Sequence, residues 1–532
     1  MRAEIILCNA HVITMNPAQP QAQAVALRKG RITAVGSEAE VMAQRGAHTT
    51  VIDAQGCTLL PGLIDSHFHL FNGARLTSGM DVRGLTQLEQ LQPLLAQAAQ
   101  QTSGWLIATG ASYSLPSPQR PLTRQDLDSV LPDVPLVLIA HDLHALWMNT
   151  AALRASGLLQ GSDDPALQVC MTMAADGSAT GEIIEGGVFI ISARYLPNDE
   201  AQTLQALERS LVTMASYGIC SVHNMLGDAQ QGAFYHKLEQ QGSLSARVSF
   251  PLHVTPGMSP EAMRSQGQAL ERAYNSDRLR FRGVKFFADG VYDGKTALTL
   301  YGYPDAPNDC GHAVFAAEEY RQLVLEADRQ GWPIATHAVG NGAVRLALDA
   351  YEAAQQHNGK RDARHRIEHI EICDPADIPR FAQLGVIASM QPLHVPSLGD
   401  GDAWLSHVAV QEWPYAFAFR RLRDAGARLA FGSDWCVVSM NPFESWQAAL
   451  TRQPWGEEGD AHYQQSLHEV LAGYTCDAAY AESMEAHKGQ LAVGMLADLC
   501  LLSADVESLE PEALGTLRSL LTIVGGKICF QA

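Results

Sequence analysis

Short apolar runs alternate with amphipathic stretches through the middle of this chain. The runs predict strands over Leu63 to His69, Ile219 to His223, Arg247 to Val254, Arg282 to Phe287, Pro333 to His337, Arg366 to Ile370, Val386 to Gln391 and Arg428 to Ser433. Between them, Glu318 to Arg329, Ala343 to Gln356 and Pro414 to Asp424 read as helices. Gly218, Gly331, Gly385 and Gly426 stand where a left-handed residue ends a helix, and Asp374-Pro375 supplies an N-cap followed by proline. Strands that are apolar throughout need cover on both faces. Eight of them alternating with helices predict a parallel (β/α)8 barrel of the TIM type, an α/β fold.

The flanks read differently. Residues 1–60 carry short strand candidates punctuated by Asn-Pro and Lys-Gly turns, and residues 486–532 have the same character, with Ala497 to Leu502 and Ser519 to Val524 leading into a Gly-Gly-Lys turn. Neither end can bury its apolar face locally, so the two are expected to form one small β-sandwich domain around a barrel over residues 61–485. The barrel is interrupted after its first strand. The stretch from about 75 to 200 is too long for a structureless loop and predicts an inserted subdomain at the barrel mouth.

Composition narrows the function classes. Of 532 residues, 47% are apolar and 18% charged, as in ordinary globular proteins, and the net charge of -20 argues against binding nucleic acid or an anionic membrane. The ten cysteines are scattered singly, which predicts reduced thiols. Met1 to Leu7 lacks the character of a secretory signal, and no apolar run reaches the roughly 18 to 20 residues of a membrane span. A cytoplasmic enzyme with a small-molecule substrate is the expectation.

In a parallel barrel, reactive groups stand at the carboxyl ends of strands. The first strand ends in His67-Phe68-His69, where a side-chain period of two puts both imidazoles on one face, as a divalent cation requires. His337, His369 and Asp434 end three later strands. Lys285 lies in the apolar run of the fourth strand. Such a lysine either snorkels to solvent or is buried and then paired, depressed in pKa or chemically modified.

Taken together, these motifs resemble the metal-dependent amidohydrolase superfamily, and within it the amidohydrolase 3 (YtcJ-like) branch of N-acyl and N-formyl amine hydrolases. The resemblance is carried by Pro61 to His69, Gly283 to Gly290, His337 to Asn341, Arg366 to His369, Gln391 to His394, Gly432 to Trp435 and Ala497 to Leu499. It implies that His67 and His69 bind one metal, that Lys285 is carboxylated and bridges two, that His337 and His369 bind the second, and that Asp434 completes the set. The implied activity is hydrolysis of a non-peptide carbon-nitrogen bond, in an amide or an N-formyl or N-acyl amine, by metal-bound hydroxide with Asp434 as proton shuttle. One or two divalent ions, with zinc expected, would serve. Alternatives are an esterase, lactonase or cyclic-imide hydrolase on the same centre, or a non-catalytic ligand-binding protein. A homodimer is a further expectation.

Two departures stand out. Asn341 replaces the family's usual aspartate, removing a carboxylate behind the site, and His223 stands near the mouth where relatives often have aspartate. His394 and His144 are candidate catalytic residues, and Asp289, Glu185, Trp147 and Trp435 candidate substrate contacts, the tryptophans standing in loops expected near the mouth. Glu185 reads equally as a glutamate on a solvated helix face.

Overall fold

The computed structural model describes residues 2–100, 104–113, 115, 120–141, 145–168, 170–184, 186–196, 199–396, 403–453, 455 and 463–532. These divide into two compact units: residues 1–68, 210–434 and 439–532 form the first, and 69–209 with 435–438 the second.

The first unit is built on eight parallel strands in sequential order: β1 (Leu63–Phe68), β2 (Ile219–Asn224), β3 (Arg247–His253), β4 (Leu279–Phe287), β5 (Ile334–Ala338), β6 (Arg366–His369), β7 (Ile387–Met390) and β8 (Leu429–Phe431). The ring is drawn together between β8 and β1 by two contacts just past the strand end. Asp434 N–H donates to the His67 carbonyl at 2.7 Å. Ser433 N–H donates to the buried Asp65 carboxylate at 3.0 Å. In β4, Gly283 takes φ +77, and a Cβ there would come within 1.9 Å of the Pro333 carbonyl oxygen. Only glycine fits such a bulge, two residues before Lys285. β4 begins at Leu279, three residues earlier than its apolar run suggests, because Leu279 to Phe281 already pair with Val248 to Phe250 of β3.

Helices fill the crossovers. Ala229–Gln241 is capped by the Asp228 carboxylate, which accepts from Gln231 N, and ends at Gly242 with φ +76. Two expectations about helices are corrected. Asp374 accepts from Ala376 N in a turn, and the helix after it starts only at Ile378. The stretch from Pro414 is a 3-10 turn, Val410–Tyr415, followed by the helix Phe419–Asp424.

The chain ends contribute two further sheets to this unit. One joins Arg31–Gly36, Ala24–Arg28, Ile5–Cys8 and Thr50–Asp53; the other places Leu499–Leu502 between Ser519–Val524 and Thr58–Pro61. Leu7, Val25, Leu59, Leu499 and Ile523 belong to one shared apolar core.

In the second unit a six-stranded sheet runs in the order Met171–Met173, Ala179–Ile184, Ala145–Met148, Leu136–Ala140, Leu106–Ala111 and Met80–Asp81. Its central strand alternates between two apolar layers, Leu136, Leu138 and Ala140 in one and Val137 and Ile139 in the other. Among the described residues, no helix is long and apolar enough to cross a membrane.

Candidate metal centre and active site

At the carboxyl end of the barrel, one ligand atom from each of His67, His369 and Asp434 lies within 4.8 Å of the others. All three side chains are buried. His67, near the end of β1, makes its first contact through Nδ1, 2.7 Å from Glu368 Oε2. A carboxylate can only accept, so Nδ1 carries the proton and the lone pair of Nε2 is left facing Asp434 Oδ1 at 3.4 Å. His369 Nδ1 lies 2.9 Å from Gln391 Oε1 and 3.9 Å from Asp434 Oδ2.

Backbone conformation assembles this cluster as much as side-chain pattern does. In β6, Arg366 and Glu368 share the inward face by alternation, which would turn His369 away. His369 takes φ +74 and Asp434 φ +59, conformations rare for non-glycine residues and concentrated at functional sites. The consecutive residues Glu368 and His369 therefore reach the same site.

Burial sets the charge states. It pushes His67 down to about 4 against the opposing pull of Asp434, and it holds His369 well below the ordinary histidine range with help from His337 and His67. Both imidazoles are thus neutral at pH 7, the form that ligates cations. Burial opposes ionisation of Glu368, yet Arg366 and His67 hold it well below the usual carboxylate range. Burial raises Asp65 to about 7, with hydrogen bonds from Ser433 and His67 opposing.

Lys285 is fully buried, and its Nζ has no hydrogen-bond partner among the described residues, lying 5.0 Å from the centre of the Phe287 ring. Burial lowers it to about 8, against Glu368 and Asp434, which favour the cation. The snorkelling alternative is excluded. His337 Nε2 faces the Gly290 carbonyl at 3.1 Å, with its ring 4.5 Å from that of His369. His394 stacks on His369 at 5.9 Å, its Nε2 3.7 Å from Asp434 Oδ2.

Other predicted residues are placed differently. Asp289 accepts from the backbone N–H groups of Val339, Gly340 and Leu298, so it organises the loops after β4 and β5 rather than presenting a free carboxylate to substrate. Asn341 does not leave a gap in charge: its amide donates to Glu412 Oε1 at 2.7 Å and its oxygen accepts from Leu300 N. His223 points into the barrel interior, where Arg366 and Glu482 face it. The β1 strand ends at Phe68, so the alternation that would pair His67 with His69 stops one residue short.

In the second unit, His69 precedes the helix Leu70–Leu76, with its N–H donating to the Trp435 carbonyl, and the Trp435 ring packs close over Gly73. Trp147 belongs to a strand, not a loop, and is buried in an apolar layer beside Leu138. Its bulk fills a core there. Glu185 and His144 lie outside the described residues. The residues that motif reading left unassigned are Glu368, Gln391, Arg366 and Asp65. Period-two spacing ahead of the terminal histidine of β6 was the available signal for the pair Arg366 and Glu368.

An eight-stranded parallel barrel whose mouth gathers neutral imidazoles, a carboxylate and a buried lysine defines the class of barrel hydrolases. Residues 50–530 match the model of the amidohydrolase family, and the chain belongs to that family. It is a hydrolase. It is 30% identical to Protein LONG AFTER FAR-RED 3 of Arabidopsis thaliana, over 99% of this chain and 91% of the relative. It is 25% identical to N-substituted formamide deformylase of Arthrobacter pascens, over 99% of this chain and 98% of the relative. In fold it is similar to an uncharacterized metal-dependent hydrolase from Pyrococcus furiosus, with TM-score 0.74, 24% identity, and coverage of 96% of this chain and 99% of that one.

Proposed function

We propose that this protein is a divalent-cation-dependent hydrolase of a non-peptide carbon-nitrogen bond, with an amide or an N-formyl or N-acyl amine as substrate. The convergence of His67, His369 and Asp434 from the ends of three strands at the carboxyl end of the barrel carries this reading. Two neutral imidazoles and a carboxylate suit a borderline divalent cation such as zinc. His69, Lys285 and His337 are the further ligands the reading assigns. Carboxylation of the Lys285 amine would turn a costly buried cation into an anion suited to holding a divalent cation. The relative named N-substituted formamide deformylase supports the substrate class.

A bound divalent cation supplies Lewis acidity toward the scissile carbonyl and makes water acidic near neutral pH. The chain's own groups do the rest. Asp434 accepts the proton of the attacking water at a carboxylate oxygen and passes it to the leaving nitrogen. His394, 3.7 Å from Asp434, orients the substrate carbonyl. Glu368 fixes the His67 tautomer that presents Nε2. A small-molecule substrate, a cytoplasmic location and a homodimeric assembly go with this reading, as does an β-sandwich domain from the two chain ends.

The test combines metal analysis with a panel of N-formyl and N-acyl amines. Stoichiometric zinc, loss of turnover on chelation and its recovery on adding zinc are expected. Asp434→Asn should lower turnover by roughly 10²- to 10⁴-fold, the usual worth of a general acid-base group. Undiminished hydrolysis by the cation-free protein, or by the Asp434→Asn variant, would refute the proposal.

A further inference from the structure

Barrel interiors are ordinarily packed with branched aliphatic side chains. Below the His67 cluster this one holds a line of buried polar and charged groups. Lys488 Nζ lies 2.5 Å from Glu482 Oε2, on the segment after the helix Cys476–Ala481, and donates to Ser221 Oγ of β2 at 2.9 Å. Two residues along β2, His223 turns its Nε2 to Glu482 Oε2 at 3.3 Å and its Nδ1 to Arg366 Nη1 at 2.9 Å. Arg366 then holds Glu368 through Nε at 2.5 Å and Nη2 at 2.9 Å, and Glu368 meets His67. Lys488, Glu482, His223, Arg366 and Glu368 are each at most 5% exposed.

The polarity of this line has one solution. Lysine and arginine only donate, and carboxylates only accept. His223 stands between a donor and an acceptor, so it must be neutral, with its proton on Nε2. His67 must carry its proton on Nδ1. Two cations and two anions cancel, which leaves no net charge to solvate. The neighbouring cavity, about 20 Å³ and bordered by His223, Arg366 and Glu482, has room for about one water.

We propose that His223 and Glu482 are positioning residues for the metal site: anchored by Lys488, they hold Arg366, which holds Glu368, which fixes the ring orientation and tautomer of His67. The inference rests on the metal-dependent reading above. It assigns a purpose to charges whose removal from water is expensive, in a region where apolar packing would be more stable. Partners one step behind a metal ligand typically change affinity 10- to 100-fold. His223, two steps further back, should change it by about three- to tenfold.

The experiment uses the full chain. Zinc affinity is measured by competition with a chromophoric chelator, alongside the visible spectrum of the cobalt-loaded protein and the melting temperature of the metal-free form. His223→Leu should weaken zinc binding by about three- to tenfold and alter the cobalt spectrum. His223→Gln, whose amide offers an acceptor to Arg366 and a donor to Glu482, should restore both. Glu482→Gln, nearly isosteric, tests the same line should His223→Leu fail to fold. Unchanged zinc affinity and cobalt spectrum in folded His223→Leu or Glu482→Gln, with only a lower melting temperature, would overturn the positioning role and leave the metal reading standing. Wild-type protein that binds no zinc would remove both.

Discussion

The barrel interior and the inserted six-stranded sheet solve the problem of a core in opposite ways. The inserted sheet is sandwiched by aliphatic layers in which Leu91, Leu95, Leu127 and Leu138 are fully buried. The barrel interior instead buries Lys285, Arg366, Glu368, His223 and Glu482. Apolar burial is favourable at about 25 cal/mol per Å², whereas each buried charge costs several kcal/mol before its partners offset it. One region is built for stability and the other for placing charge, and the same substitution chemistry should act on different observables in each.

The largest effect is expected in the aliphatic layer. Leu138→Ala removes a fully buried side chain beside Trp147 and should cost about 2–5 kcal/mol in denaturant unfolding. Zinc affinity should not change. A fall in zinc binding by the folded variant would show that the two cores are not independent.

A charge kept for stability sharpens the contrast from the other side. Asp328 is buried on the helix Ala317–Arg329, 3.0 Å from His365 and 2.6 Å from Arg361. Burial alone would raise its pKa, but His365 and its other partners bring it down to about 2. Because this lies below the roughly 3.9 of an unfolded aspartate, the contribution is fully present above about pH 4 and is lost as pH falls toward 2. It amounts to about 2 kcal/mol. Asp328→Asn should flatten the acid limb of stability against pH in that window without moving zinc affinity. An acid limb of unchanged slope would contradict this assignment.

The smallest effect concerns the pair that replaces the family's usual aspartate. Asn341→Asp would set a second carboxylate against Glu412 at the present 2.7 Å contact, a loss of about 1 kcal/mol above neutral pH. The loss should shrink as pH falls, since burial already raises the Glu412 pKa and one shared proton relieves the repulsion. A melting temperature lowered equally at pH 5 and pH 8 would speak against that account.

Much of the barrel was legible from local pattern. All eight strands begin and end within three residues of their apolar runs, because burial on both faces demands continuous hydrophobicity and helices between strands demand a period near four. The chemistry-bearing residue types at the strand ends were legible too. Alternation failed where the backbone left the strand: β1 ends before His69, and a positive φ at His369 brings two consecutive residues to one site.

What the sequence by itself determined is therefore the eight-stranded frame and the kinds of side chain offered at its mouth, since both follow from spacing along a few residues. The tertiary structure alone decided which atoms meet. His67 and Glu368 are 301 positions apart, and Asp65 and Ser433 are 368 apart. It also turned His223 from the mouth to the interior and gave Asn341 its partner in Glu412. Hydrophobic periodicity reports how a segment faces its surroundings, but hydrogen-bond direction and charge balance depend on which distant group arrives opposite, and only the closed barrel supplies that.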